Sequence, residues 1–287
     1  MRYSEVATAQ PQPYESFTWP PASYAEAAAC EEQYNIWEGT VAQATNELTQ
    51  MVNDGELNNT AIWHPSRIAG AIIRQSERTG QQTERLAALT HMASFTKDLF
   101  MGRATVEQVE QVTGLTSQLG DPNFMRAKQT LDIGTLRATN TERASEAASR
   151  LVERDTGHIF MVPLCQGGFT AGVLTALEYE RQHGSTVDLY PIRYSSQKER
   201  DGKPLITRQE IKHIATKALL KTIVVVDEDT ASGHTISTVV HRLRQDIQGS
   251  QIIGLACHDG RTKRDIDIQD RWWQPPMAAH KRRLYGR

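Results

Sequence analysis

Four β-branched apolar residues in a row, Ile223-Val224-Val225-Val226, are followed at once by acids, Asp227-Glu228-Asp229, and then by small residues around one glycine, Thr230-Ala231-Ser232-Gly233-His234-Thr235. An apolar run without alternation is satisfied when both faces of a strand are covered, as in a parallel sheet between helices. From Ile236 to Leu243 the apolar residues return at helical spacing. The order strand, tight polar loop, helix brings exposed backbone N–H groups and the positive end of a helix dipole to the carboxyl edge of the sheet, where a phosphate would be held. Asp227 and Glu228 would repel a bare phosphate, so they need another task. Carboxylates at that distance from a phosphate cradle suit the vicinal hydroxyls of a sugar or a hydrated magnesium ion. Without that loop chemistry, the same run reads as a buried strand ending in a polar turn.

The same order of elements occurs upstream. His158-Ile159-Phe160-Met161-Val162-Pro163-Leu164 reads as an apolar strand, Cys165-Gln166-Gly167-Gly168 as a sharp turn, and Ala171 to Arg181 as a helix with Val173, Leu174, Leu177 and Tyr179 on its apolar side. Paired glycines open backbone conformations closed to other residues and allow main chain to approach a ligand closely, although a Gly-Gly turn by itself is commonly only a turn. Between the two units, Val187 to Tyr194 reads as another strand. The stretch that follows, Ser195-Ser196-Gln197-Lys198-Glu199-Arg200-Asp201-Gly202-Lys203-Pro204, is polar, charged and long. It reads equally as a solvated hairpin tip and as a segment whose cations meet a ligand.

At these residues the chain resembles the type I phosphoribosyltransferases, whose signature is an apolar strand, two acids, three variable residues, Thr-Gly, one variable residue and Thr. The register here is Asp227-Glu228, then Asp229-Thr230-Ala231, then Ser232-Gly233, His234 and Thr235, with Glu as the second acid and Ser for the first Thr. The resemblance spans roughly residues 141–260 and implies an α/β fold with a mostly parallel sheet. It implies that Asp227 and Glu228 contact the ribose hydroxyls of phosphoribosyl pyrophosphate (PRPP) and serve its magnesium ion. By the same resemblance, Thr230, Ala231, Ser232, Gly233, His234 and Thr235 wrap the 5′-phosphate, and Gln166, Gly167 and Gly168 form the pyrophosphate loop. Arg193, Ser195 and Ser196 resemble the end of the strand that precedes the family's flexible loop, without the aromatic residue that many members carry next.

The implied reaction is Mg2+-dependent displacement of pyrophosphate from C1 of PRPP by a ring nitrogen of a small acceptor, through an oxocarbenium-like transition state that depends on positioning and charge stabilisation. Ala231 stands where the hypoxanthine-guanine enzymes usually carry an Asp, which disfavours a 6-oxopurine acceptor. The rival expectation is a PRPP- or nucleotide-sensing module that uses the same pocket without turnover, and a third is an interaction protein whose helical part recognises a partner.

The rest of the chain sets bounds on these readings. Residues 1–24 are rich in proline and read as a flexible arm. Residues 25–140 carry helical periodicity, with Ala69, Ile72 and Ile73 and then Leu86, Leu89 and Met92 at helix spacing, and show no strand of comparable quality. Thr141 to Val152 reads as the helix that opens an α/β domain over 141–287, within which Gln251 to His258 is a further core strand. Trp272 and Trp273 are either packing anchors or a surface for stacking a base, and Lys281, Arg282, Arg283 and Arg287 form either a solvated tail or a phosphate contact.

A chain of 287 residues with a formal net charge of -2 has no global attraction to nucleic acid or anionic membrane. It contains no apolar stretch long enough to span a bilayer. The expectation is a soluble cytoplasmic protein, with a homo-oligomer left open. Cys30, Cys165 and Cys257 are odd in number and too widely spaced for a zinc framework, and Cys165 reads first as a small buried thiol.

Overall fold

The computed structural model describes residues 37–55, 63–120, 126–128, 141–165, 167–194, 203–229, 233–258 and 267–269. The first part is helical. A short strand β1 (Glu38–Thr40) leads into α1 (Val41–Asp54), followed by α2 (His64–Thr79), α3 (Gln82–Phe100) and α4 (Val106–Ser117). The start of α1 is fixed by a reciprocal cap in which Gln43 N donates to Thr40 Oγ1 at 3.2 Å and Thr40 N donates to Gln43 Oε1 at 2.8 Å. Its buried face, Val41, Ala44, Leu48 and Met51, has the spacing of one helical stripe. Strand β2 (Arg126–Lys128) pairs antiparallel with β1, Gly39 opposite Ala127. Three residues per strand are too few to leave a period in the sequence, and the ribbon is not legible there.

The second part alternates helix and strand: α5 (Thr141–Glu153), β3 (Ile159–Cys165), α6 (Gly167–His183), β4 (Asp188–Leu189), β5 (Ile192–Arg193), α7 (Arg208–Lys217), β6 (Thr222–Asp229), α8 (His234–Asp246), β7 (Ile252–His258) and β8 (Asp267–Gln269). The sheet order is β4-β3-β6-β7-β8, with β5 also on β3. Pairing is parallel except for β8 on β7. The expected α/β class with a mostly parallel sheet is therefore found. All seven residues of β3 are buried, as are Thr222 to Val226 of β6, which is how the unalternating apolar runs are accommodated.

Chain order and sheet order diverge at β3. The connection through α6 leads to β4 on one side of β3, and the chain then returns to lay β6 on the other side. This reversal puts the topological switch point at the carboxyl ends of β3 and β6, the usual place for a ligand crevice in an open α/β sheet.

One expected strand is found in two pieces. Val187 to Tyr194 reads as continuous, but the structure has β4 and β5 separated by Tyr190-Pro191, because proline has no N–H to give to the ladder. Both pieces keep one register on β3, with Phe160 opposite Asp188 and Cys165 opposite Arg193. They form the edge of the sheet, and the helical part covers it: α3 packs on β4 and α2 on β5. The buried apolar residues of the helices and of the sheet belong to one continuous core, from Val41 through Met92 and Phe95 to Val225 and Leu255.

Candidate functional site

The acids of the first motif do not hang in a loop. Strand β6 runs on through them, and its pairing with β7 continues with Asp227 opposite Ala256 and Asp229 opposite His258. Asp227 and Glu228 are half-buried at the carboxyl edge, and Glu228 N donates to Asp227 Oδ1 at 3.1 Å. Extending the ladder fixes the acid backbones more rigidly than a loop could, because each strand position is held by a neighbour.

The glycine pair meets the acid pair directly. A β-carbon on Gly167 would lie 1.9 Å from Oε1 of Glu228, and one on Gly168 would lie 2.8 Å from the carbonyl oxygen of Val226 and 2.9 Å from Cα of Asp227. At Gly168 the neighbours are backbone and cannot give way, whereas at Gly167 a side chain would have to displace the Glu228 carboxylate. The two motifs, far apart in sequence, are thus pressed together at the carboxyl ends of β3 and β6. Helix α6 begins at Gly167 with no acid in its own first turn, so the nearby Glu228 carboxylate supplies negative charge to its positive end.

The second helix N-terminus is that of α8. Gly233, buried, adopts φ 64° and ψ 0°, the left-handed region that favours glycine, where the chain turns into the helix. Its carbonyl accepts the first helical bond, from Ser237 N at 2.9 Å. His234 is exposed and Thr235 half-buried. This helix also lacks an acid in its first turn. Thr230, Ala231 and Ser232 lie outside the described residues, as do Gln166, Ser195 and Ser196.

Arg193 ends β5 beside Cys165, the last residue of β3 before the glycine pair. Burial pushes the Cys165 thiol up to about 12, against the opposing pull of the positive charges of Arg193, Arg85 and Arg74, while Glu228 adds to the rise. The thiol therefore stays protonated at neutral pH and is a packing group, not a nucleophile. Cys257 is likewise pushed up to about 12 by burial. Arg74 on α2 and Arg85 on α3 come from the helical part. Sequence reasoning missed both, since a single arginine at helical spacing carries no signal of what it reaches. Helix α7 was missed too, although Thr207-x-x-Glu210 is a legible capping box.

Among the described residues, no three His, Cys, Asp or Glu side chains gather to hold a metal ion. A magnesium ion needs no such cage. It is held by one or two carboxylates together with phosphate oxygens and water, and the adjacent carboxylates of Asp227 and Glu228 would suit that requirement. Among the described residues no helix is long and apolar enough to cross a membrane. Comparison of the chain with protein-family models and with curated proteins finds no match.

Proposed function

We propose that this chain binds Mg2+-PRPP on a sheet of the type I phosphoribosyltransferase kind and transfers its phosphoribosyl group to a nitrogenous base or related small acceptor. One observation carries the reading. Asp227 and Glu228, at the carboxyl edge where the strand order reverses, lie against the N-terminus of α6 at Gly167, and a second helix starts at His234 a few residues beyond β6; neither helix has an acid of its own in its first turn. Anion sites flanking a pair of sugar-binding carboxylates match a ligand with a phosphate at each end of a ribose.

In this reading the 5′-phosphate occupies the loop from Thr230 to Thr235, Asp227 and Glu228 bind the ribose 2′- and 3′-hydroxyls, and the pyrophosphate lies along Gln166, Gly167 and Gly168 within reach of Arg193. Magnesium, when bound, neutralises charge on the leaving pyrophosphate. The protein orients C1 toward the acceptor, and its backbone N–H groups stabilise the departing anion without contributing a nucleophile.

Calorimetry with magnesium and PRPP is the direct test. Asp227→Asn with Glu228→Gln removes charge with little change of shape and is expected to weaken PRPP more than tenfold, about 1.4 kcal/mol or more. Unchanged affinity in the folded double variant refutes the assignment. Turnover is then read from acceptor-dependent pyrophosphate release across purine, pyrimidine and other nitrogenous acceptors. Tight PRPP binding with no release for any acceptor replaces the transferase reading with the sensing one.

A further inference from the structure

Arg85 belongs to the helical part, yet most of what it holds lies in the α/β part. Its guanidinium is fully buried. Nε donates to Oε1 of Glu210 on α7 at 2.8 Å, one terminal nitrogen donates to Glu77 Oε1 at 2.6 Å, and the other donates to the carbonyl of Leu205 at 2.6 Å. The Leu205 amide in turn donates to the carbonyl of Arg193 at 2.9 Å, across an isolated antiparallel bridge. Tyr190, on the interrupted strand that ends in Arg193, donates its hydroxyl to the same Oε1 of Glu210 at 2.7 Å. Burial, with the negative charge of Glu210, raises the Tyr190 phenol well above its ordinary value, so it remains a donor. Two routes thus run from Arg85 to the backbone that presents Arg193, one through Leu205 and one through Glu210 and Tyr190.

That backbone needs support. Strand β5 has two residues, so its register on β3, Cys165 opposite Arg193, is a short hold for the backbone that carries Arg193. A buried guanidinium is a demanding support, because it must be desolvated, which well-packed apolar residues avoid. What the planar fork provides and an apolar side chain does not is direction, with several bonds fixed at once.

We propose that Arg85 is a positioning residue for Arg193, by which the helical part sets the affinity of the site for pyrophosphate. The proposal rests on the PRPP reading above. Arg85 touches no ligand in this account. It holds Leu205 and Glu210 so that the charge of Arg193 stands at the glycine pair.

The test is calorimetry of the full chain with magnesium, using PRPP and ribose 5-phosphate, which lacks the pyrophosphate. Arg85→Lys keeps the charge and loses the three-way fork. It is expected to weaken PRPP about fivefold or more while leaving ribose 5-phosphate unchanged. Arg193→Gln is expected to do the same, and Arg85→Lys added to Arg193→Gln to cost nothing further, since both act through one group. Tyr190→Phe cuts one route without stranding a charge, and is expected to weaken PRPP about twofold with ribose 5-phosphate again unchanged. It carries the test if Arg85→Lys does not fold. Equal weakening of both ligands, or full additivity in the double variant, overturns the positioning role and leaves the PRPP reading standing. A wild-type chain that does not bind PRPP overturns the PRPP reading, and the proposal with it.

Discussion

The glycine pair that opens α6 against β6 and the arginine network under β5 solve the same problem with opposite materials. At the pair, main chain lies on main chain: Gly168 sits where a β-carbon would be 2.9 Å from Asp227 Cα, and the surrounding strands are apolar. Under β5, long charged side chains reach across a gap, with Arg85 and Glu210 both excluded from solvent. Close backbone contact, as at Gly168, tolerates no added atom and does not depend on a charged partner. A side-chain network tolerates shape changes at its rim but not the loss of one partner. The central strands can be held in the first way because they have neighbours on both sides, whereas β4 and β5 lie at the edge and depend on the helices that cover them.

The sharpest way to break the comparison is to remove one member of the network. Arg85→Met leaves Glu210 buried with only the Tyr190 hydroxyl and the Thr207 amide as partners. It is expected to cost about 3–5 kcal/mol, the usual result of stranding a buried charge. Replacing both, Arg85→Met with Glu210→Leu, should recover most of that loss, since no charge is left to desolvate. Urea unfolding of the single and double variants measures the difference. A double variant as unstable as the single one would mean that the packing of the guanidinium, not its charge, holds the edge.

A second buried polar site in the helical part extends the contrast to pH. His64 is fully buried, with Arg67 bonded to its Nδ1 at 2.8 Å and its Nε2 at 2.6 Å from Glu47. Burial first, and the charge of Arg67 second, lower its pKa from 6.5 to about 4, against the opposing effect of Glu47. Below pH 6.5 the unfolded chain therefore takes up a proton that the folded chain refuses until about pH 4. Stability falls as pH falls through that window, by up to about 3 kcal/mol. His64→Gln should flatten the dependence. Urea unfolding of the two chains across the window tests the statement.

At the glycine pair itself the expected effect is smaller and of a different kind. Gly168→Ala forces a β-carbon against the Val226 carbonyl and the Asp227 backbone, neither of which can swing aside, and should cost about 1–3 kcal/mol. Gly167→Ala meets the Glu228 carboxylate instead, which can rotate away. It should cost less stability than Gly168→Ala and more PRPP affinity, because the displaced group is one proposed to bind ribose. Unfolding and calorimetry on the same two variants give the comparison, and equal effects in both measurements would remove the distinction drawn between the two glycines.

The same contrast explains what could be read in the sequence. Strands β3, β6 and β7 and the helix after Gly233 are local patterns, each written in a few adjacent residues, whereas the turn expected over Cys165 to Gly168 is instead the end of β3 and the start of α6, which opens at Gly167 and not at Ala171. The acids were read as lying beyond the strand because polar residues usually end one. The continuation of β6 through Asp229 depends on pairing with β7, which no local pattern states. Arg85 and Glu210 are separated by 125 positions, and nothing in either neighbourhood marks the other. The break at Tyr190-Pro191 was legible through its proline, and the start of α7 through its capping box. Between them lies a charged stretch whose composition marks neither a strand break nor a helix start.

The smallest effect offers the finest test, because two capping boxes share one local geometry and differ in what lies behind it. At α4, Thr105 accepts from Gln108 N at 3.4 Å and Gln108 bonds back to Thr105 N at 3.0 Å. At α7, Thr207 accepts from Glu210 N at 3.2 Å and Glu210 bonds back to Thr207 N at 2.7 Å. Gln108 goes on to reach Asp98 in a partly exposed setting, whereas Glu210 goes on to the buried Arg85 and Tyr190. Removing the cap hydroxyl should cost about 1 kcal/mol in Thr105→Ala, as an ordinary cap does. Thr207→Ala should lie nearer the upper limit of about 2 kcal/mol, because loosening the first turn of α7 also shifts the carboxylate on which Arg85 depends. In the Arg85→Met, Glu210→Leu background that excess should vanish, leaving the two threonines equivalent. If Thr207→Ala costs no more than Thr105→Ala in the wild-type chain, the network is insensitive to the helix that carries its centre, and α7 is only an attachment point.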